Sequence, residues 1–298
     1  MNPRQYEIIC FGEVLWDILP DKKVPGGAPM NVAYHLEKLG HPTAIFSGIG
    51  NDEAGRDLLT VLDNIGLDAY FIQRNEAYET GKVYANVANN QEVSYDIVKP
   101  VAWDFIVQDD KQAELLTNAD IAYVVFGSLA CRNPVSMHTL ANILNFPAVK
   151  VLDINLRAPH YTREILEWLM KAANIIKLNE SELTLVTDWF TTATGLEERI
   201  AALATRYKVP EIIVTLGAAG AILYVDGTFY RHQGFEVTVA DTIGSGDAFL
   251  AAYLHGRIKG QSPQENITFA AAMGAWIATY NGGCPDYEVA EVGQLIKG

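Results

Sequence analysis

The chain has 298 residues, 49% of them hydrophobic, and carries a formal net charge of −14. This length suits one large α/β domain or two smaller ones, and the acidic balance argues against nucleic acid or an anionic membrane as the main partner. The three cysteines, Cys10, Cys131 and Cys284, are far apart, which fits reduced thiols. Because residues 1–11 lack a signal-peptide pattern and no run of about 20 apolar residues occurs, we expect a cytoplasmic protein without a membrane segment.

Most of the chain alternates between predicted strands and predicted helices. The strands are short apolar runs at 6–11, 43–49, 121–126, 149–154, 175–178 and 211–215. The helices are predicted at 28–39, 53–65, 136–144, 162–170, 180–186, 195–207, 248–259 and 263–280. Apolar strands that alternate with helices are typical of a parallel sheet covered on both faces, so we predict an α/β fold with a mostly parallel central sheet.

One region breaks this alternation. Residues 81–88 and 92–98 alternate in side-chain character and are joined by Asn89-Asn90-Gln91, a hairpin signal. Residues 14–24 form a further non-helical segment. These strands do not suit a parallel sheet, so we predict a small antiparallel flap at its edge, which is a candidate lid.

We predict a single domain over residues 1–298. Its β-lid would comprise about 13–25 and 80–104. A second hairpin is predicted at 221–232, where Asp226-Gly227 supplies the turn. Asp52 is predicted to cap the helix that follows it.

The most informative stretch is 241–249, which reads Asp-Thr-Ile-Gly-Ser-Gly-Asp-Ala-Phe. Backbone N–H groups at a helix start attract anions, and glycines let an anion approach closely. Asp247 at the end of the loop is placed to take a proton beside such an anion, which suits phosphoryl transfer to a hydroxyl. Alternatively, this is a glycine-rich helix start in which Asp247 complements the helix dipole.

A second glycine-rich stretch covers residues 26–31, Gly-Gly-Ala-Pro-Met-Asn. Paired glycines before a helix bring the backbone close to a ligand, and Asn31 offers both a donor and an acceptor. Asp17, just upstream, could accept two hydrogen bonds from a vicinal diol. The alternative is an ordinary turn before a helix.

Together, the two glycine stretches resemble the two signatures of the ribokinase-like (PfkB) family of carbohydrate kinases. Asn179 and Glu182 match the family's N-x-x-E motif, and residues 215–220 resemble its nucleotide-binding strand and turn. The resemblance covers essentially the whole chain. It implies a three-layer α/β/α fold with a small β-sheet lid.

The resemblance also implies how the phosphoryl group is transferred. Asp247 would deprotonate a primary hydroxyl of the sugar, and the amides of Gly244, Ser245 and Gly246 would hold the γ-phosphoryl oxygens. Ser245 stands where many relatives carry Ala, but its backbone amide is retained.

On the sugar side, the resemblance implies that Asp17, Gly27 and Asn31 orient the substrate. Arg157 presents a fork of donors and is a candidate phosphate clamp, although a surface ion pair is an equally good interpretation. Trp16 is either a platform on which the sugar stacks or an aromatic residue that packs the flap.

On the nucleotide side, the implied ATP-binding residues are Asn179, Glu182, Thr215, Gly217 and Gly220. Glu182 would hold Mg²⁺ through water. Asp241 and the carbonyls of Ile243 and Gly283 match a monovalent-cation site, so K⁺ is a further expected ion. Ala271 stands where relatives often carry Asn, so we name no polar contact to adenine.

Within the family, residues 12–17 and 153–157 look most like fructokinases. We therefore expect an ATP-dependent kinase of D-fructose. The alternatives are a 2-keto-3-deoxygluconate kinase, with Lys99 and Arg157 as candidate partners of the sugar's carboxylate, or a ribokinase. A non-catalytic sugar sensor is the alternative from another class. The exposed strand edges of the lid predict a homodimer.

Overall fold

The computed structural model describes residues 5–19, 22–87, 93–109, 112–113 and 120–297. The strands in these ranges are β1 (Ile8–Phe11), β2 (Leu15–Ile18), β3 (Lys23–Gly26), β4 (Thr43–Gly50), β5 (Ile72–Asn75), β6 (Gly81–Val87), β7 (Val93–Ile97), β8 (Tyr123–Gly127), β9 (Val149–Asp153), β10 (Ile175–Asn179), β11 (Glu211–Thr215), β12 (Ala221–Val225) and β13 (Thr228–His232). The helices are α1 (Ala28–Lys38), α2 (Glu53–Asn64), α3 (Pro134–Ile143), α4 (Arg163–Ala172), α5 (Glu180–Thr187), α6 (Leu196–Tyr207), α7 (Ser245–Ile258), α8 (Pro263–Ile277) and α9 (Val289–Lys297). None of these helices combines the length and the apolar character needed to cross a bilayer.

The strands form two separate sheets. One has nine strands in the order β13-β12-β11-β10-β9-β8-β1-β4-β5, and the other has four in the order β3-β2-β6-β7. In the large sheet, β1–β4, β4–β5, β9–β10 and β10–β11 pair in parallel, whereas β12 pairs antiparallel with β11 and β13. The predicted α/β class with a mostly parallel main sheet and a small second β-sheet is confirmed.

The chain divides into two compact units, Met1–Val124 with Ala130–Pro147, and Val125–Leu129 with Ala148–Gly298. A kinase domain over the whole of 1–298 stays a prediction. In the first unit, the ring of Phe46 on β4 stacks on the ring of Phe71 with centroids 5.4 Å apart, and both side chains are buried in the core.

In the second unit, a polar network fixes α7 against β11. The Glu211 carboxylate accepts hydrogen bonds from Tyr253 Oη at 2.7 Å and from Arg257 Nη2 at 2.7 Å. Both donors lie on α7, the helix that begins with the 241–247 loop. The network therefore sets the position of that helix relative to the sheet.

The four-stranded sheet comes from the region predicted to form the flap. β2 pairs antiparallel with β3, and β6 antiparallel with β7, but β2 and β6 pair in parallel. The prediction of a wholly antiparallel flap is wrong at this pairing, because only strands joined by a tight turn must run antiparallel. The turn predicted at Asn89-Asn90-Gln91 lies outside the described residues.

The predicted helix cap at Asp52 is confirmed. Asp52 Oδ1 accepts a hydrogen bond from the Gly55 backbone N–H at 2.7 Å. The carboxylate also accepts from the Thr80 backbone N–H at 2.9 Å and from the Thr80 hydroxyl at 2.6 Å. The cap therefore ties α2 to the segment that leads into β6.

The three cysteines form no disulfide, and Cys10 and Cys131 are buried. Burial, assisted by the nearby Glu13 carboxylate, raises the pKa of the Cys131 thiol to about 12. Burial and the negative charge of Asp247 likewise raise the pKa of Cys284 well above its usual value. Both thiols are therefore protonated near neutral pH.

Candidate active site

The carboxyl ends of three parallel strands bring together polar residues that are far apart in the sequence. Register pairing places Lys177 of β10 beside Asp153 of β9, and Asn179 of β10 beside Thr215 of β11. Ligands of open α/β sheets bind outside this edge of the strands. Two predicted nucleotide-binding residues, Asn179 and Thr215, are therefore neighbours at the expected edge.

Asn179 and Glu182 form a reciprocal capping box at the start of α5. Asn179 Oδ1 accepts from the Glu182 backbone N–H at 2.9 Å, and Glu182 Oε2 accepts from the Asn179 backbone N–H at 2.8 Å. Glu182 Oε1 accepts from the Leu156 backbone N–H at 2.8 Å. Glu182 thus fixes the segment that carries Arg157, whose exposed side chain forms no ion pair with any residue in the described ranges.

The donor set at this edge fits a magnesium ion held through water. Each carboxylate oxygen of Glu182 accepts one backbone hydrogen bond and keeps acceptor capacity. Mg²⁺ usually keeps several waters and binds few protein carboxylates besides substrate phosphates. The described part of the chain contains no group of three or more His, Cys, Asp or Glu residues suited to hold a metal directly.

The 241–247 loop leads directly into α7. Gly244 is the N-cap residue with φ of 77°, and the helix begins at Ser245, three residues before the predicted start. The amides of Gly244 and Gly246 meet no acceptor among the described residues, whereas the Ser245 amide makes a long bond of 3.3 Å to the Thr242 carbonyl oxygen. Asp247 lies in the first turn, directly after these amides.

The residues of the predicted monovalent-cation site lie next to one another. Asp241 accepts hydrogen bonds from the backbone N–H groups of Ile243 at 3.0 Å and Gly282 at 3.1 Å. A Cβ atom on Gly244 would overlap the backbone of Gly283. The structure therefore brings Asp241, Ile243 and Gly283 together around the loop.

Lys177 is a buried residue that is not among the predicted site residues. Its Nζ atom lies 2.7 Å from Asp153 Oδ2 and 3.3 Å from the position that a Cβ atom on Gly246 would occupy. Burial lowers the pKa of Lys177, but the negative charges of Asp153, Asp247 and Glu182 outweigh it and hold the pKa above its ordinary value. Lys177 is therefore a permanent cation beside the loop.

The turn after β11 depends on glycine. Gly217 and Gly220 have φ of 59° and 90°, a region that side chains disfavour. A Cβ atom on Gly220 would overlap the His232 carbonyl oxygen. The backbone of this predicted nucleotide-binding turn is thus held in one tight conformation beside Thr215.

The first unit brings the predicted sugar-binding residues together at the start of α1. Gly27 has φ of 118°, and a Cβ atom there would overlap the Glu13 carbonyl oxygen. Asn31, one turn later, is buried and donates its backbone N–H to the Gly27 carbonyl oxygen at 2.9 Å. The Asp17 carboxylate lies directly over Gly26, so a side chain at this position would require the carboxylate to shift. Asp17, Gly27 and Asn31 therefore form one cluster.

Trp16 packs the small sheet rather than offering an exposed ring. Its side chain is buried, and its indole N–H donates to the Ala54 carbonyl oxygen of α2 at 2.9 Å. The packing interpretation is confirmed, and a sugar-stacking platform at Trp16 is not formed.

Known proteins are similar to this chain in sequence and share its fold. A family model described as pfkB family carbohydrate kinase matches residues 2–290. Fructokinase-1 of Zea mays is 28% identical over 318 residues, which covers 97% of each chain. The crystal structure of a fructokinase from Vibrio cholerae O395 in fructose-, ADP- and calcium-bound form is 23% identical, covers 98% of this chain and 99% of that chain, and has a TM-score of 0.82.

A second crystal structure, of a fructokinase from Xylella fastidiosa with bound ATP, is 22% identical and has a TM-score of 0.87. It covers 97% of this chain and 98% of that chain. At these identities the two structures show that the ribokinase-like fold is shared. Because the family model spans nearly the whole sequence, the chain belongs to the pfkB family of carbohydrate kinases.

Proposed function

We propose that this sugar kinase is a fructokinase, which transfers the γ-phosphoryl group of MgATP to a primary hydroxyl of D-fructose. The main support is the first turn of α7, where Asp247 directly follows a loop in which the Gly244 and Gly246 amides have no acceptor among the described residues. The choice of fructose is supported by the relatives, since the Zea mays protein is named a fructokinase and the Vibrio cholerae structure contains fructose.

In this mechanism, a carboxylate oxygen of Asp247 accepts the proton of the attacking hydroxyl. The hydroxyl oxygen forms a bond to the γ-phosphorus, and the bond from that phosphorus to the β–γ bridging oxygen breaks, so that ADP leaves. The amides of Gly244, Ser245 and Gly246 stabilise the charge on the transferred group. Asp247 then releases its proton to solvent.

The nucleotide is held by residues at the ends of β10 and β11. We assign ATP binding to Asn179, Glu182, Thr215, Gly217 and Gly220, and the water-mediated magnesium contact to Glu182. When bound, Mg²⁺ neutralises phosphate charge. Asp241, Ile243 and Gly283 are assigned to K⁺.

On the sugar side, Asp17 accepts hydrogen bonds from vicinal hydroxyls, while Gly27 and Asn31 contact the sugar through backbone and amide groups. The four-stranded sheet acts as the lid that excludes water. Among the described residues, the edge strands β3 and β7 each have a neighbouring strand on one side only, which supports a homodimer formed through this sheet.

The direct test is ADP release from MgATP, with K⁺ present, against fructose, ribose, 2-keto-3-deoxygluconate, glucose, mannose and adenosine. Selective turnover of fructose is the expected result. Turnover of another sugar would contradict the substrate assignment and leave the chemistry standing. Saturable sugar binding without ADP formation would instead identify a sensor.

A 2-keto-3-deoxygluconate kinase is the second candidate. Lys99 and Arg157 are both exposed, and neither forms an ion pair with another residue of the described ranges. Each is thus available to an acidic substrate. Replacing either by Gln would lower the affinity for the acidic sugar but not for fructose, measured as KM for the two sugars.

A further inference from the structure

The neighbourhood of Lys177 holds more negative than positive charge. Asp153, Asp247 and Glu182 all act on the Lys177 ammonium, so three negative charges and one positive charge leave a net −2. The Lys177 side chain is only 8% exposed, so this cation is largely shielded from solvent. A polyphosphate beside this cluster is bound most favourably when the Lys177 cation faces it.

The Lys177 ammonium has more hydrogen-bond donors than it uses within the described chain. It carries three N–H donors, and within the described chain its hydrogen-bond acceptor is Asp153 Oδ2 at 2.7 Å. Buried donors are normally paired, so two remaining N–H groups call for acceptors from a ligand or water. These donors lie beside Gly246, whose amide also meets no acceptor among the described residues.

An ion pair that served packing alone is a weak explanation for this arrangement. The hydrogen-bonded register already joins β9 to β10. Burying a lysine and an aspartate costs desolvation, and well-packed apolar residues often stabilise such a position better. Lys177 also lies close to residue 246, because a Cβ atom there would approach the Lys177 nitrogen to 3.3 Å, a tight contact.

We propose that Lys177 is a further catalytic residue, which donates hydrogen bonds to the transferred phosphoryl group together with the Gly246 amide, and that Asp153 is a positioning residue that orients it. This inference rests on the proposed kinase function. Lys177 supplies a fixed positive charge where negative charge develops on the phosphoryl oxygens, while Asp247 takes the proton.

The turnover test compares wild type with the double variant Lys177→Met/Asp153→Asn. The double variant removes both charges, so no buried aspartate is left unpaired and we expect it to fold. We expect kcat to fall about 10²–10³-fold, the loss typical of removing one donor to a developing anion, with the sugar KM changed less than about threefold. Lys171→Met, at an exposed lysine of α4, is the matched control and should keep wild-type kcat. A folded double variant with wild-type kcat would overturn the inference.

A binding measurement tests the same contact without any sugar. Calorimetry would compare ADP with an ATP analogue whose β–γ bridging oxygen is a methylene group, both with Mg²⁺. In the double variant, we expect the preference for the analogue over ADP to fall about tenfold or more, with ADP affinity unchanged. An unchanged preference would refute a phosphoryl contact by Lys177. A reduced preference in a protein that phosphorylates no sugar of the panel would support the contact while contradicting the proposed fructokinase activity.

Gly246→Ala gives an independent test with both charges in place. The added methyl group would require the Lys177 nitrogen to shift by a few tenths of an ångström, so kcat should fall. Gly293→Ala is the control, since a Cβ atom there meets no atom within 4 Å. Equal kcat for Gly246→Ala and Gly293→Ala would show that the position of Lys177 does not matter to the reaction.

Discussion

The carboxylate of Asp241 accepts a hydrogen bond from the backbone N–H of Gly282 at 3.1 Å, and so ties the loop before α7 to a loop 41 residues further along the chain. Its other oxygen accepts from the Ile243 backbone N–H at 3.0 Å. The side chain therefore organises both backbone segments assigned to K⁺. Any loss of this carboxylate should affect the cation site and the phosphate loop together.

We accordingly expect K⁺ to raise the rate of ADP formation, and Asp241→Ala to abolish this activation. The variant loses both backbone hydrogen bonds as well as a negative ligand. The check is the initial rate in KCl and in NaCl at equal ionic strength, for wild type and variant. Equal rates of the wild type in the two salts would refute the cation assignment.

Asp247→Ala should lower kcat by about 10²–10⁴-fold, the usual loss for a general base, while sugar binding survives. Asp247→Asn should be as slow, because it keeps the shape but cannot take a proton. Glu164→Ala is the control, since Glu164 is also an acidic residue in the first turn of a helix and is fully exposed. Near-normal turnover of Asp247→Ala would contradict the mechanism.

Arg157→Gln should weaken MgATP binding about tenfold and leave thermal stability unchanged, because the side chain is exposed and pairs with no described residue. The KM for MgATP and the melting temperature of wild type and variant provide the check. A drop in melting temperature with unchanged KM would instead indicate a structural role.

Asp52→Ala should destabilise the protein by about 1–2 kcal/mol at pH 7, as for other lost helix caps. Burial alone would raise the pKa of Asp52, but hydrogen bonds from Thr80 and Gly55 hold it below its ordinary value of 3.8. The charged Asp52 carboxylate therefore contributes its full stabilisation at pH values above 3.8. This stabilisation is lost as the pH falls through the lowered pKa of the folded state. Urea unfolding at several pH values should show that the difference in the free energy of unfolding between Asp52→Ala and wild type becomes smaller in acid.

The control for this prediction is Asp63→Ala, an exposed carboxylate in the last turn of the same helix, which should change stability little at any pH. If the stability difference between Asp52→Ala and wild type stays constant down to low pH, the charge of the carboxylate does not contribute to stability.

Arg132→Met should lower the free energy of unfolding by about 3–5 kcal/mol, because it leaves Asp104 buried without its partner. The pair is almost fully enclosed, with Nε and Nη2 of Arg132 at 2.6 and 2.8 Å from the two Asp104 oxygens. Arg163→Met, which breaks the exposed pair with Glu167, should cost less than about 1 kcal/mol. Denaturant unfolding of both variants checks the difference, and similar losses would refute it.

Local signals explain why much of this fold could be predicted. The stretches around Gly27 and Gly244 can be recognised from the sequence, because two glycines before a helix form a signal within a few consecutive residues. The Asp52 cap is equally local, since it lies three residues before the amide that it accepts from. The predicted start of α7 is three residues too late, because Ser245 and Gly246 are weak helix formers that still fit a first turn.

Lys177 could not be assigned from the sequence, because its meaning depends on Asp153, 24 residues away on a neighbouring strand. Within Ile-Ile-Lys-Leu-Asn, a single lysine is indistinguishable from a solvent-facing residue of an edge strand. β5, with the sequence Ile-Gln-Arg-Asn, was missed because it is short and polar. The parallel pairing of β2 with β6 likewise depends on segments more than 60 residues apart, and no local pattern encodes it.

The protonated thiols have a practical consequence for spectroscopy. Maleimides modify the thiolate form, so buried Cys10, Cys131 with its raised pKa and Cys284 should react slowly near neutral pH. A cysteine introduced at Tyr84, which is 40% exposed on β6, would react much faster. One fluorophore could thus be attached to the small sheet without removing any native cysteine, and its emission would report how that sheet responds when sugar and nucleotide are added in turn.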